Sequence, residues 1–572
     1  MGKRRARSGG GGEPRRRGWL RRRTRREVAP RPERLDDTRR NGHGPGAPPR
    51  GPATVQRLPS GTLERSQAGA PWWRYRRPDT LRAAPRAVPG DGTTPPSEGL
   101  APRPVATPDE PPARAFVPPP AERGSGLVAG TAAAVLITGM IIAARAGNDQ
   151  VGRFAVPVIG LLLAAALIPG IAFRNPDEPW LPRFVVLGVV FKLVASYARY
   201  WTLVDTYEGA GDASIYHEYG AQHAAGLTDP LPDLRKTNFV KWLIAHVYDF
   251  VGVDMMAGFF VFGLAAFVGS YLWYRATAKS VPFIDKRLYC AFVFFLPSIA
   301  FWPSSIGKEA LMQLGIGLAA LGTAFMVGSQ MVRGLLIAAP GGWLMWVVRP
   351  HLLALVTFAG AVAYAMGRRL NRPGKPVNVS VTRPIGIVVV AVLSVFAISQ
   401  AMHFLGMQEF SINAIESELN EQAGNTAQGG SQIEEEPGDQ TLTPLSLPQG
   451  AVTVLLRPFV WEVESGTQIL ASIEAAAITL LVVKRRKSLL LSLTRARSAP
   501  FLLYCWTLTA LYATAFSSFS NMGLLVRQRS LVLPAFFVLL CVDVGLAERT
   551  RRADAAGGDG ATVGAGTAVR AA

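Results

Sequence analysis

Residues 184–219 read FVVLGVVFKLVASYARYWTLVDTYEGAGDASIYHEY. Up to residue 203 the stretch is apolar for about the 20 residues that a helix needs to cross a bilayer core. From Asp205 to Tyr219 it turns into a dense cluster of acids and aromatics around His217. Carboxylates beside hydrocarbon are costly unless they face water or do chemistry. Fold and function therefore hang on one question: how many apolar runs flank this cluster, and on which side of the membrane it falls.

Working outward, apolar runs of suitable length occur at 126–144, 154–173, 184–203, 253–274, 288–303, 309–327, 335–348, 352–367, 385–405, 466–483, 499–517 and 530–546. They predict an all-α integral membrane protein with about 12 transmembrane helices, within a range of about 10–13. The run 288–303 is short and ends at Pro303. The runs 335–348 and 352–367 are also short, with Arg349-Pro350-His351 between them, and read as a hairpin that need not cross fully.

Charge tests the count. The chain of 572 residues carries a formal net charge of +21. Residues 1–125 hold 27 Arg and Lys against 12 Asp and Glu, so +15 of that charge lies there. This segment is rich in Arg, Pro and Gly and has no apolar periodicity, which predicts a disordered cytoplasmic tail. Its basic charge would suit anionic lipid or nucleic acid. A solvated tail that fixes topology is the simpler reading, with no nucleic acid partner expected. No apolar core follows the basic start, so no secretory signal peptide is read.

With the tail inside, the segments 275–287, 368–375, 484–487 and 549–552 fall inside, and all are basic, as the positive-inside rule requires. The loop 406–465, with ten acidic residues and one Arg, falls outside, and so does 204–252. Twelve crossings satisfy every strong charge signal. The expected organisation is a tail over 1–125, a multi-pass domain over 126–548 with outer loops 204–252 and 406–465, and a short disordered cytoplasmic tail over 549–572. The protein is thus expected in the cell membrane with both termini cytoplasmic. The three cysteines, Cys290, Cys505 and Cys541, all lie in apolar runs, which argues against a disulfide framework or a thiolate metal site. Residues 239–250 are amphipathic, with Trp242, Ile244 and Val247 against Lys241, His246 and Asp249, and read as a helix at the membrane surface.

On this topology the unusual polar residues converge on the outer face. One half of the set is acidic and basic in the Brønsted sense: Asp205, Asp212 and His217 are the candidate catalytic groups, with Glu208, Glu218 and His223 nearby. If 212–223 is helical, Asp212, Tyr216, Tyr219 and His223 share one face at i, i+4, i+7 and i+11. A carboxylate there can take a proton from a sugar hydroxyl. The competing reading is a solvated surface helix. Carboxylates and histidine also suit Mg²⁺ or Mn²⁺, but the spacing matches no metal motif, so no metal ligand is assigned.

The other half is cationic: Lys308, Arg349, His351, Arg527 and Arg529. Arginine holds phosphate with two parallel hydrogen bonds and lysine holds it as a point charge. Lys308 stands just before a helix start, after Ser304-Ser305, where backbone N–H groups also favour anions. Against this, Arg527 and Arg529 can snorkel to headgroups, and Lys308 with Glu309 can be a local ion pair.

Two short stretches carry a family resemblance. Gly211-Asp212-Ala213-Ser214-Ile215-Tyr216 resembles the Asp-x-x-x-Tyr pattern in the outer catalytic loop of the GT-C superfamily of multi-pass glycosyltransferases. Arg527-Gln528-Arg529-Ser530-Leu531-Val532-Leu533-Pro534 is similar to an Arg-x-Arg-x-x-x-x-Pro segment near the last helices of several such enzymes and of polysaccharide polymerases. The resemblance covers 126–546 and implies transfer of a sugar from a polyprenyl-phosphate donor at the outer face, in cell-envelope or exopolysaccharide assembly. It implies Asp212 as catalytic base, the Arg527 and Arg529 pair on the donor phosphate, and Tyr216 beside the substrate. The implied partners are the bilayer, a polyprenyl-phosphate-linked sugar and an acceptor glycan or lipid. One alternative is an O-antigen-type polymerase or ligase in which Arg349 and His351 do the work. Others are a lipid-linked oligosaccharide flippase and a structural membrane protein.

Overall fold

The computed structural model describes residues 123–367, 382–405, 446–463, 466–519 and 521–549, with scattered residues between 411 and 421, all within the unit Ala106–Ala572. Of the expected tails over 1–125 and 549–572, residues 1–122 and 550–572 lie outside these residues, as do the basic loop 368–375 and most of the acidic loop 406–465.

Among the described residues the chain is helical, with one isolated bridge between Ile284 and Val542. The helices are α1 (Arg123–Arg145), α2 (Val151–Arg174), α3 (Leu181–Trp201), α4 (Asp212–Ala224), α5 (Lys236–Val251), α6 (Met255–Ser280), α7 (Lys286–Phe295), α8 (Pro297–Phe301), α9 (Lys308–Val327), α10 (Met331–Val348), α11 (Pro350–Met366), α12 (Thr382–Leu405), α13 (Ser446–Leu456), α14 (Gly466–Lys484), α15 (Arg486–Thr494), α16 (Pro500–Phe516) and α17 (Met522–Leu540).

Eight of them, namely α1, α2, α3, α6, α9, α10, α12 and α17, are long and apolar enough to cross a membrane. The other four expected runs differ. Run 288–303 is two short helices, α7 and α8, because Leu296 takes an extended conformation before Pro297. Runs 352–367 and 499–517 become α11 and α16, each of 17 residues. Run 466–483 is α14. The last run also shifts: α17 begins at Met522, capped by the Asn521 side chain on Leu524 N at 3.0 Å, and ends at Leu540. Arg527 and Arg529 therefore sit inside the helix rather than before it.

The perimeter helices present large apolar side chains outward, among them Leu127, Phe154, Val194 and Val392. Such a surface suits hydrocarbon rather than water. The centre is α17, 83% of whose apolar window is buried, with α9 at 72%, while α1 at the edge is only 11% buried. Between α6 and α9 the backbones nearly touch. A Cβ built on Gly269 would lie 2.3 Å from the Gln313 carbonyl oxygen, and one on Gly317 would lie 2.4 Å from that of Gly269. Small residues at such crossings are how helices pack where no hydrophobic drive separates lipid from protein.

Buried charges brace this bundle. Lys192 of α3, 3% exposed, donates to the carbonyls of Ile299 at 3.2 Å and Ala300 at 2.9 Å. It thereby satisfies the C-terminal end of the broken segment α7–α8, where carbonyls have no helical partner. Arg529 of α17 is fully buried and pairs with Glu474 of α14 at 3.2 Å. Arg529 also donates to the Arg457 carbonyl at 2.7 Å, and Glu474 accepts from the backbone and hydroxyl of Ser298. Asp254 caps α6 and holds Arg153 of α2 at 2.7 Å.

Candidate functional site

The site is built where α3, α4, α9, α17 and the turn between α10 and α11 meet. Its centre is Glu309, the second residue of α9, whose side chain is 1% exposed. Each carboxylate oxygen is taken: Oε1 accepts from Arg349 Nη2 at 2.7 Å, and Oε2 accepts from Arg527 Nη2 at 2.6 Å. Arg349 uses its other terminal nitrogen on Gln528 Oε1 at 2.7 Å, so it ties α9 to α17. The Tyr512 hydroxyl of α16 donates to the Gln528 carbonyl at 2.9 Å and steadies the same turn.

Local sequence explains the placement. Pro350 starts α11 and leaves Arg349 as the lone residue between two helices, extended and turned inward. Pro303 to Gly307 form a buried loop that leads into α9. Lys308 and Glu309, adjacent on α9, are rotated about 100° from each other. They cannot share one partner face, which is why Glu309 meets the arginines instead of pairing with Lys308.

Asp212 opens α4 and reaches the same cluster. Its Oδ2 lies 3.5 Å from Arg527 Nη2, at the limit of a hydrogen bond, and its side chain is 52% exposed. Glu309 is closed, whereas Asp212 keeps room for a ligand. Lys308, half-buried, lies within electrostatic reach of Asp212, Glu309, Arg349 and Arg527 and makes no hydrogen bond through its ammonium among the described residues. Tyr216, one turn along α4, is 2% exposed and close to Asp212, Thr237 and Arg527. Burial pushes its hydroxyl up to about 12, with Asp212 adding to the effect, so it acts only as a neutral donor or acceptor.

Comparison with known protein families, curated proteins and solved structures found no match for this chain.

The remaining sequence candidates fall elsewhere. Arg529 is 200° around α17 from Arg527 and is committed to Glu474, so the two arginines do not act as a pair on one phosphate. His217 turns toward α5 and meets the Tyr248 hydroxyl at 2.6 Å. Burial lowers this imidazole below its ordinary value of 6.5 and raises the Tyr248 hydroxyl. Asp205 lies exposed in a π-helical turn, Thr202–Thr206, with no side-chain hydrogen bond to the described residues. His351 follows Arg349 in the first turn of α11 and packs 6.2 Å from the Phe516 ring. No group of three His, Cys, Asp or Glu that could hold a metal ion occurs among the described residues.

Three residues at the site were not singled out from sequence: Glu309 as its centre, Gln528 as a support, and Arg199. Arg199, in the last turn of α3, stacks its guanidinium over Phe301 at 5.2 Å and Trp302 at 4.9 Å. The signal in the sequence was an arginine among aromatics, Tyr197-Ala198-Arg199-Tyr200-Trp201, at the end of an apolar run.

Proposed function

We propose that this chain is a membrane glycosyltransferase that moves a sugar from a polyprenyl-phosphate donor to an acceptor hydroxyl. The reading places the site at the outer face of the cell membrane, with twelve crossings and both termini cytoplasmic. The observation that carries it is the pairing of an open carboxylate, Asp212, with cations gathered on a closed one, Glu309, at one end of an apolar bundle.

In this mechanism Asp212 takes the proton of the acceptor hydroxyl. The acceptor oxygen forms a bond to the anomeric carbon as the bond from that carbon to the phosphate oxygen breaks. The phosphate leaves with the electron pair, and Lys308, Arg349 and Arg527 neutralise it. Glu309 cannot serve as the base, because both its oxygens accept from guanidinium groups. General-base assistance of this kind is worth about 10²–10⁴-fold in rate.

The test is transfer by purified protein in proteoliposomes, with labelled polyprenyl-phosphate sugar. Asp212→Asn should lose at least about 10²-fold in rate with an unchanged melting temperature. Full activity in that variant would remove Asp212 from the mechanism. A second reading, an O-antigen-type polymerase or ligase, draws on the central position of Arg349 between Glu309 and Gln528. There, Arg349→Ala and His351→Ala would be more damaging than Asp212→Asn.

A further inference from the structure

We infer that the site takes a lipid-linked diphosphate rather than a monophosphate, and that Arg199 is the ligand of the second phosphate. This rests on the polyprenyl-linked donor reading above.

Arg199 Nε and Nη1 are buried from solvent and have no hydrogen-bond partner among the described residues. Two aromatic rings flank the guanidinium, fixing its plane and withholding water from it. It lies within electrostatic reach of Arg527, which repels it, and of Glu309. Glu309 cannot satisfy it, since both its oxygens accept from Arg349 and Arg527. A buried cation left without an acceptor is unfavourable, and such groups are ordinarily matched by an anion.

The charge of the cluster points the same way. Four cations, Arg199, Lys308, Arg349 and Arg527, face two carboxylates, Asp212 and Glu309, which leaves a surplus of two positive charges. A sugar joined to a lipid through one phosphate brings one negative charge. A sugar joined through a diphosphate brings two. Arg527 is bound to Glu309 at 2.6 Å and lies within electrostatic reach of Arg199, so a diphosphate that meets one arginine is within reach of the other. Arginine suits the role because its planar fork meets two phosphate oxygens at once.

The experiment measures equilibrium binding to the purified full chain in nanodiscs of zwitterionic lipid. Its probes are polyprenyl monophosphate and polyprenyl diphosphate, each carrying the same sugar, and inorganic diphosphate. The wild type should bind polyprenyl diphosphate about tenfold or more tighter than the monophosphate, equivalent to about 1.4 kcal/mol. Arg199→Met should erase most of that difference, weakening diphosphate binding far more than monophosphate binding, while Arg199→Lys should keep part of it. Equal binding of both lipids by the wild type would overturn the inference and leave the donor reading standing. So would inorganic diphosphate binding as tightly as the lipid form, because the site would then serve a soluble anion. Binding of neither lipid would remove the donor reading and the inference with it. The comparison on the wild type stands even if Arg199→Met fails to fold.

Discussion

Arg527 and Arg529 are two residues apart on α17 and face opposite sides of it. Arg527 Nη2 lies 2.6 Å from Glu309 Oε2, while Arg529 Nη2 lies 3.2 Å from Glu474 Oε1. A helix turns 200° over two residues, so one arginine serves the site and the other serves the packing of α17 on α14.

That division predicts opposite mutational signatures. Arg527→Lys keeps a charge but loses the fork, and should lower transfer about 10²-fold while the fold persists. Arg529→Met leaves Glu474 buried and unpaired and should destabilise the protein by about 3–5 kcal/mol. The double variant Arg529→Met with Glu474→Leu should regain most of that stability. Thermal unfolding in detergent alongside a transfer assay separates the cases. If Arg529→Met melted like the wild type, the ion pair would have no structural weight.

Glu309→Gln should be among the most damaging single changes. It leaves two arginines without their counter-charge, at a position whose side chain is 1% exposed. Losing one partner of a buried pair costs about 3–5 kcal/mol, of which the amide oxygen recovers a part. A melting temperature equal to the wild type would show that Arg349 and Arg527 do not depend on this carboxylate.

His217 carries a pH dependence whose sign is fixed by burial. Its folded value lies below the ordinary 6.5, although Asp254 and Glu218 oppose the shift. The unfolded chain therefore binds more protons, and stability is full above about 6.5 and falls as pH drops toward the folded value. The α4–α5 contact through Tyr248 should loosen first. Hydrogen exchange of α4 should rise as pH falls from 7 toward 5 (about the range where histidine titrates), and His217→Gln should flatten that rise. A rise of the same size in His217→Gln would assign it to another group.

Gly269→Ala tests the crossing of α6 and α9, one turn along α9 from Glu309. Its new Cβ would lie 2.3 Å from the Gln313 carbonyl oxygen, so α6 and α9 must separate. Overpacking of this kind costs about 1–3 kcal/mol. A melting temperature within error of the wild type would mean that the crossing adjusts freely.

Much of the bundle was legible because hydropathy and charge alternate over long runs. The stretch 212–223, read as a conditional helix, lies within α4, and Lys308, read as standing just before a helix start, is the first residue of α9; Arg527, grouped with Asp212 on one face, lies 3.5 Å from it. What stayed hidden was pairing across distance. Arg527, Gln528 and Arg529 broke the apolar run, so the start of the last helix read eight residues late, at 530 rather than Met522. Nothing local reveals that Glu309, 218 residues away, neutralises Arg527. Local order likewise paired Glu309 with its neighbour Lys308, although adjacent helical residues face different ways. Arg199 went unnoticed inside the run 184–203, because an arginine among aromatics near a membrane boundary is common as an interfacial anchor.

The double hold of Glu309 also sets when the site is assembled. With one oxygen on each of Arg349 and Arg527, it fixes two flexible side chains in place before any ligand arrives. Their ordering entropy is met during folding and no longer weighs on binding. On the donor reading, an entering anion would meet arginines already ordered, so the gain from each contact would go to affinity and orientation. Preorganisation of this kind has a kinetic mark. Changes at Glu309 that leave both arginines present should slow productive encounter as well as weaken it, because the ligand must then gather its own site.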